Sequence, residues 1–234
     1  MIKFNLLTKL SLTLVLTVAS FSAFAQKDCN EAIKLLKEGN QRFCENCMVH
    51  QHQSMQTVKE LTKGQHPFAV VISCSDSRVT PEIIFDQGLG DIFSIRTAGN
   101  VMADFEEGSI EYAVDHLDTK LIVVLGHTQC GAIKAFMDVK NSEGCCKKDD
   151  HHHSNLGHIQ SIIDKLDSEE EEKEVFGHKD DDDMYNHAIE ANVIHGVKQL
   201  KKCDPILAKM CDDHKIEIVG AIYDIESGEV KFLQ

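Results

Sequence analysis

Two stretches of the chain end an apolar run in side chains that bind metal. The first is ISCSDSR, Ile72 to Arg78, where Cys74 is followed at two-residue steps by Asp76 and Arg78. The second is LIVVLGHTQCG, Leu121 to Gly131, which closes on His127 and Cys130. Two thiolates and an imidazole form a soft donor set that suits zinc in a tetrahedral site. Three protein ligands leave the fourth corner to water, the arrangement of a catalytic rather than a structural zinc. A His-x-x-Cys alone is equally well read as a buried thiol beside an unrelated loop histidine. The zinc reading rests on Cys74 closing one apolar run while His127 and Cys130 close another. Asp76 and Arg78 then acquire a purpose. A carboxylate near the metal can orient a bound water by accepting its proton in a hydrogen bond, or it can occupy the open corner itself. An arginine paired with it holds it off the metal and keeps it ionised. The plain alternative is a surface salt bridge, worth about 0–1 kcal/mol.

Residues 53 positions apart (127 minus 74) have to be brought together, and the flanking pattern supplies the means. PFAVVISC, IFSIR (92 to 96) and LIVVL (121 to 125) read as strands. Helical spacing of Ile110, Ala113, Val114 and Leu117 predicts a crossover helix over 106 to 118. Pro81 suits the first turn of a short helix, and GAIKAFM opens another. Two amphipathic helices are expected before the first strand, one with Ala32, Ile33, Leu36 and Phe43 on its apolar face, the next with Met55, Val58 and Leu61. NHAIEANVIHGVKQL predicts a long helix, and a shorter one is expected near 204 to 213. The closing IEIVGAIYDIESGEVKFL reads as a hairpin around Glu226-Ser227-Gly228. The class that follows is α/β: a mostly parallel β-sheet flanked by helices, with an antiparallel C-terminal edge strand. In such a sheet the carboxyl ends of the strands line the functional crevice, and all three candidate ligands sit there.

Composition changes from about 139 to 184, where CCKKDDHHHSN, EEEEKE and HKDDDD surround one short helical pattern (Leu156, Ile159, Ile163, Leu166). The expectation is a charged surface excursion from a single domain spanning 26–234, with the acidic runs as solvated faces. Cys145, Cys146 and His151 to His153 either collect metal or belong to a solvated loop. Cys44-x-x-Cys47 is a redox pair, a disulfide or two plain surface thiols.

Residues 1–25 read as a signal peptide: Lys3 and Lys9, an apolar stretch over Leu10 to Ala19, and the small-x-small site Ala23-Phe24-Ala25. The apolar run is short for a membrane span, so no stable membrane anchor is expected. Export to the periplasm, or secretion as the second choice, follows. Nine cysteines in an oxidising compartment leave an odd thiol, which fits a metal role for some of them. Cleavage would remove two lysines and no acid, taking the net charge from -14 to -16. That surface does not suit nucleic acid or anionic lipid and leaves small neutral substrates unaffected.

At the two opening stretches the chain resembles the β-class carbonic anhydrases. Their Cys-x-Asp-x-Arg motif stands here as Cys74-Ser75-Asp76-Ser77-Arg78, and their His-x-x-Cys-Gly as His127-Thr128-Gln129-Cys130-Gly131. KGQHPFAVV, IRTAGN, GSIEYAVDHL and KIEIVGAIYDIESGEVKF extend the likeness over most of 30 to 138 and 186 to 233. The resemblance implies Zn2+ on Cys74, His127 and Cys130, with Asp76 and Arg78 as a catalytic dyad. It implies carbon dioxide and bicarbonate as substrate and product, interconverted by attack of zinc-bound hydroxide. It places Gln65, Phe93, Tyr112 and Gly131 at the substrate, the aromatic pair as in the plant-like branch, whose pocket lies at a dimer interface. A homodimer or dimer-based higher homo-oligomer is therefore expected, in an exported bacterial form. Some bacterial members are regulated by bicarbonate at a tryptophan-containing site; this chain has no tryptophan, so that site is absent in its usual form. Hydrolysis of carbon disulfide or carbonyl sulfide on the same fold, and a non-catalytic zinc buffer, are the rival readings. A buffer has no use for the Asp76–Arg78 dyad.

Overall fold

The computed structural model describes residues 27–143, 156–176 and 183–233. The proposed signal peptide, Cys145, Cys146, the His151 to His153 tract and most of HKDDDD lie outside the described residues.

Five strands form one sheet in the order β2-β1-β3-β4-β5: β1 (Ala69–Cys74), β2 (Ile92–Thr97), β3 (Leu121–His127), β4 (Glu217–Tyr223) and β5 (Val230–Phe232). The first four run parallel, and β5 returns antiparallel on β4. Every residue of β1 and β3 is buried, as expected for central strands covered on both faces. Alternation with period two divides their side chains between two cores. Ala69, Val71, Leu121, Val123 and Leu125 face Ala32 and Leu36 of α1 (Cys29–Cys44) and Ile84 of α3 (Pro81–Ile84). Val70, Ile72, Ile122 and Val124 face α4 (Asp104–His116), α8 (Met184–Lys201) and α9 (Leu207–Asp212). The hairpin after β4 turns where expected, with Gly228 at φ 81 and its amide donating to the Asp224 carbonyl at 2.8 Å.

Several boundaries and surfaces differ from the sequence pattern. The crossover helix α4 begins at Asp104, because the Glu106 carboxylate reaches back to the Ala103 amide at 3.0 Å and caps the turn before the apolar stripe starts. It ends at His116, and the backbone reverses at Asp118, φ 57. The helix near 204 to 213 is confined to Leu207–Asp212. Helix α2 (Met55–Leu61) forms but buries no residue; Met55 is 70% exposed. The larger correction concerns the acidic excursion. Residues 159–168 and 170–176 fold as α6 and α7, and α6 packs on α5 (Gly131–Glu143) while α7 packs on α8. In EEEEKE, Glu169 and Glu172 are 1% and 0% exposed, not solvated.

Candidate metal centre

Cys74, His127 and Cys130 meet at the carboxyl edge of the sheet, all buried, with their ligand atoms within 4.8 Å of one another. Three local features bring them there. Cys74 is the last residue of β1, opposite Thr97, and the ladder runs one step further through Ser75 N–H to the Thr97 carbonyl. His127 is the last residue of β3, opposite Tyr223, and Thr128 N–H donates to the Tyr223 carbonyl. Gln129 then takes φ 57, which turns the chain so that Cys130 sits immediately before α5. The Cys130 carbonyl accepts the first bond of that helix, from Lys134 N–H. A sulfur at a helix N-terminus faces unpaired amides and the positive end of the dipole, which favours thiolate.

The histidine tautomer follows from its partner. Nδ1 lies 2.8 Å from the Thr128 carbonyl, which can only accept, so Nδ1 carries the proton. Nε2 is left as a bare acceptor, buried and without a hydrogen-bond partner among the described residues. A buried orphan of this kind costs free energy unless something binds it. With two sulfurs beside it, the donor set fits zinc and is too soft for magnesium or calcium.

The two thiols are strongly coupled. The Cys130 thiol as donor, then the amides of Gly99 and Asp76, draw the Cys74 thiol down against the opposing effect of burial. The same contact with Cys74, together with burial and the Cys74 charge, pushes Cys130 far up. A cation held by both sulfurs would supply what the second thiol needs to ionise.

Asp76 and Arg78 form the expected dyad. Arg78 Nε donates to Asp76 Oδ1 at 2.9 Å and a terminal nitrogen to Oδ2 at 2.7 Å, while the Arg78 amide also donates to Oδ1 at 2.9 Å. The guanidinium contact, opposed by some burial, holds the Asp76 carboxyl well below the usual carboxylate range. The carboxylate is engaged with arginine and is not among the three clustered ligands. Gly131 follows Cys130 with open space where a Cβ would be.

Gln65, Phe93 and Tyr112 are placed elsewhere. Gln65 is exposed before β1, so a whole strand, about 20 Å for six residues, separates it from Cys74 at the other end. Phe93 is paired with Val70 near the same amino edge, and its ring lies 6.4 Å from that of Tyr112. The aromatic pair forms, but a single chain does not carry it or Gln65 to the metal ligands.

Other residues shape the site without having been singled out by spacing. Arg96 on β2 donates to the Cys74 carbonyl at 3.2 Å and the Asp76 carbonyl at 2.8 Å. Amides of Gly99 and Asp76 donate to Cys74 Sγ at 3.3 and 3.4 Å. The β4–β5 hairpin grips the other ligand loop: Gln129 Nε2 donates to Glu226, and Thr128 Oγ1 to Asp224. The only sequence signal for Arg96 and Gly99 was their presence in IRTAGN.

A mostly parallel sheet with a Cys–His–Cys cluster at its carboxyl edge defines an α/β protein with a candidate metal site. A family model described as carbonic anhydrase matches residues 69–230. Carbonic anhydrase 2 of Mycobacterium tuberculosis is 36% identical over 197 residues, covering 84% of this chain and 89% of that protein. The solved β-carbonic anhydrase CcaA superposes with a TM-score of 0.64 at 28% identity, covering 86% of this chain and 95% of that one. A tetrameric β-carbonic anhydrase of Sordaria macrospora gives 0.63 at 26% identity, covering 87% and 97%. The chain belongs to the carbonic anhydrase family, in its β class.

Proposed function

We propose that this protein catalyses the reversible hydration of carbon dioxide to bicarbonate and a proton, with one zinc held by Cys74, His127 and Cys130. The observation that carries the reading is the buried, unpartnered His127 Nε2 between two coupled thiols, beside an arginine-clamped carboxylate. Zinc bound there supplies Lewis acidity, bringing the pKa of a water toward neutrality. The chain's own residues do the rest. Asp76, kept ionised, accepts a hydrogen bond from the attacking water and orients it. Arg78 would keep that carboxylate from joining the metal ligands. Val101 and Ala132, packed against the ligand cluster, give an apolar wall that suits an uncharged linear substrate.

The substrate pocket we assign to a dimer. Gln65, Phe93 and Tyr112 belong to the plant-like arrangement, and in one chain they lie at the wrong edge of the sheet for the metal. Among the described residues strand β2 is an edge of the sheet, and Ile83, Leu89, Phe105 and Tyr112 are large and exposed. An edge strand together with exposed apolar side chains supports pairing with a second copy. The relative from Sordaria macrospora is described as tetrameric. Export is part of the proposal: residues 1–25 have the signal-peptide pattern, and no described helix is long and apolar enough to cross a membrane. N-terminal sequencing of protein from the periplasm is expected to begin at Gln26; an intact Met1 would contradict export.

The decisive experiment is stopped-flow hydration of carbon dioxide by zinc-loaded protein, with carbonyl sulfide as the competing substrate. About one zinc per chain is expected. Cys74→Ser should lose both metal and turnover. Full zinc occupancy in Cys74→Ser would remove the ligand assignment, and zinc without hydration would favour a buffer.

A further inference from the structure

Helix α8 reaches the ligand loops at two points outside the Cys-x-Asp-x-Arg and His-x-x-Cys-Gly stretches. Tyr185 Oη donates to the Cys130 carbonyl at 2.7 Å. Asn192 Nδ2 donates to the Gly99 carbonyl at 2.8 Å. Seven residues are about two helical turns, so both side chains leave the same face. Ala188 and Ile189, between them, pack in the cluster that contains Cys74 and Cys130.

The Asn192 contact carries the stronger consequence. Asn192 is buried on an otherwise apolar stripe of Ala188, Ile189, Val193 and Gly196. An amide in such a place is tolerated only where its hydrogen bonds are made, and its partner is the residue whose own N–H donates to Cys74 Sγ at 3.3 Å. Gly99 has φ 69, ψ 21 and is followed by Asn100 at φ 47. The turn has no ladder to hold it; Thr97 Oγ1 closes it on the Val101 carbonyl. A Cβ at Gly99 would lie 2.9 Å from Ala132 Cβ, so the position demands glycine, the residue least able to fix its own backbone angles. Something outside the turn has to orient it.

We infer that Asn192 is a positioning residue for the metal ligand Cys74: by holding the Gly99 carbonyl, it keeps the Gly99 amide aimed at the sulfur. This rests on the zinc reading of the Cys74–His127–Cys130 cluster. An N–H donor both orients a thiolate and withdraws part of the charge it offers to a cation. Tyr185 performs the corresponding service at Cys130 through its carbonyl, so one helix braces both sulfur ligands.

The test compares Asn192→Leu, close in size and without a donor, with Val193→Ala on the adjacent position. Val193 packs against Gly126 and Gly220 and makes no polar contact with the ligand loops. Zinc affinity is read by equilibrium competition with a chelator, and cobalt-substituted protein reports the sulfur-to-metal charge-transfer band. Asn192→Leu is expected to bind metal about 10–100-fold more weakly, the usual loss for a residue behind a ligand, and to shift that band. Val193→Ala should lower the Tm of the apoprotein and leave affinity and band unchanged. Should Asn192→Leu not fold, Asn192→Ala removes the same donor without adding bulk and is expected to show the same two effects. Wild-type affinity and an unmoved band in either variant would make Asn192 a core residue and overturn the inference. A wild-type protein that binds cobalt without a sulfur band would instead refute the zinc site itself, so the two failures are distinguishable.

Discussion

Arg78 touches no metal ligand, yet the geometry makes it decisive for one residue's behaviour. Its two-pronged contact with Asp76 engages both carboxylate oxygens and fixes their direction. In Arg78→Ala the carboxylate loses this clamp and is free to turn toward a cation in the Cys–His–Cys site, since an acidic oxygen is a competent zinc ligand. The expected outcome is a protein that keeps its zinc and loses at least about 10²-fold in hydration rate, the low end of what a positioned acid–base group contributes. Asp76→Asn in that background should restore water access, seen in the cobalt spectrum, without restoring full turnover. Wild-type hydration by Arg78→Ala would reduce the dyad to a surface salt bridge. Cys74, Asp76, Arg78, His127 and Cys130 were legible in the sequence because their side chains do the chemistry, so type and spacing carry the signal. Arg96, Tyr185 and Asn192 act on carbonyl oxygens. Any residue has a carbonyl, so no pairing of residue types announces such contacts. The one hint was an asparagine at a core-facing position of NHAIEANVIHGVKQL.

At the scale of elements, the strands were readable because a buried parallel strand has to be a continuous apolar run, and AVVISC and LIVVLGH are such runs. The acidic helix α7 was not readable, because burial is decided by what packs on a segment. Ile163 and Leu166 of α6 join Phe136 and Ile189 in one cluster, and α7 is laid across α8. That leaves two carboxyl groups inside. Burial pushes Glu169 up to about 8, with Lys165 of α6 opposing and Glu171 assisting. Burial, then Glu169 and Glu171, pushes Glu172 up to about 8. Glu171 is the exception: burial acts to raise it, but Lys198 and His195 of α8 outweigh this and hold it at about 2. His195 also lies 3.8 Å from Glu169. Between the ordinary glutamate pKa and about 8 the folded state holds protons that the unfolded state has lost, so stability falls as pH rises across that window. Each pKa unit corresponds to about 1.4 kcal/mol, enough in sum to unseat a helix of two turns before the sheet is disturbed. Hydrogen exchange should show protection of Glu170–Phe176 falling between about pH 4.5 and 8 while β1 and β3 stay protected. The pair Glu169→Gln and Glu172→Gln should flatten that dependence. Protection of α7 that is independent of pH would show that these carboxyls are not neutral in the fold.

For the molecule as a whole, the expected site residues fall into two groups at opposite edges of one sheet. Cys74, Asp76, Arg78, His127 and Cys130 stand at the carboxyl ends, and Gln65, Phe93 and Tyr112 near the amino end of β1 and β2. No rearrangement of a single chain can join them, since the buried β1 lies rigidly between. A second copy can, if its amino edge is brought against the first copy's carboxyl edge by a two-fold operation; each site then takes ligands from one chain and its pocket from the other. That arrangement makes a complementation experiment decisive. Gln65→Ala spoils the pocket it lends to the partner, and Cys74→Ser spoils the metal site on its own chain. Each homodimer should be deficient, the second wholly. In a mixed dimer, the chain carrying Gln65→Ala retains its own Cys74 and faces an intact Gln65 from the partner subunit, so one of the two sites is complete. Random pairing of equal amounts makes half the dimers mixed, so hydration should recover to about a quarter of the wild-type rate per site. Recovery should follow the rate of subunit exchange and vanish when the homodimers are cross-linked before mixing. If the mixture does no better than the mean of the two variants, the pocket is not shared between chains, and the separation of Gln65 from Cys74 means that Gln65 takes no part in binding substrate.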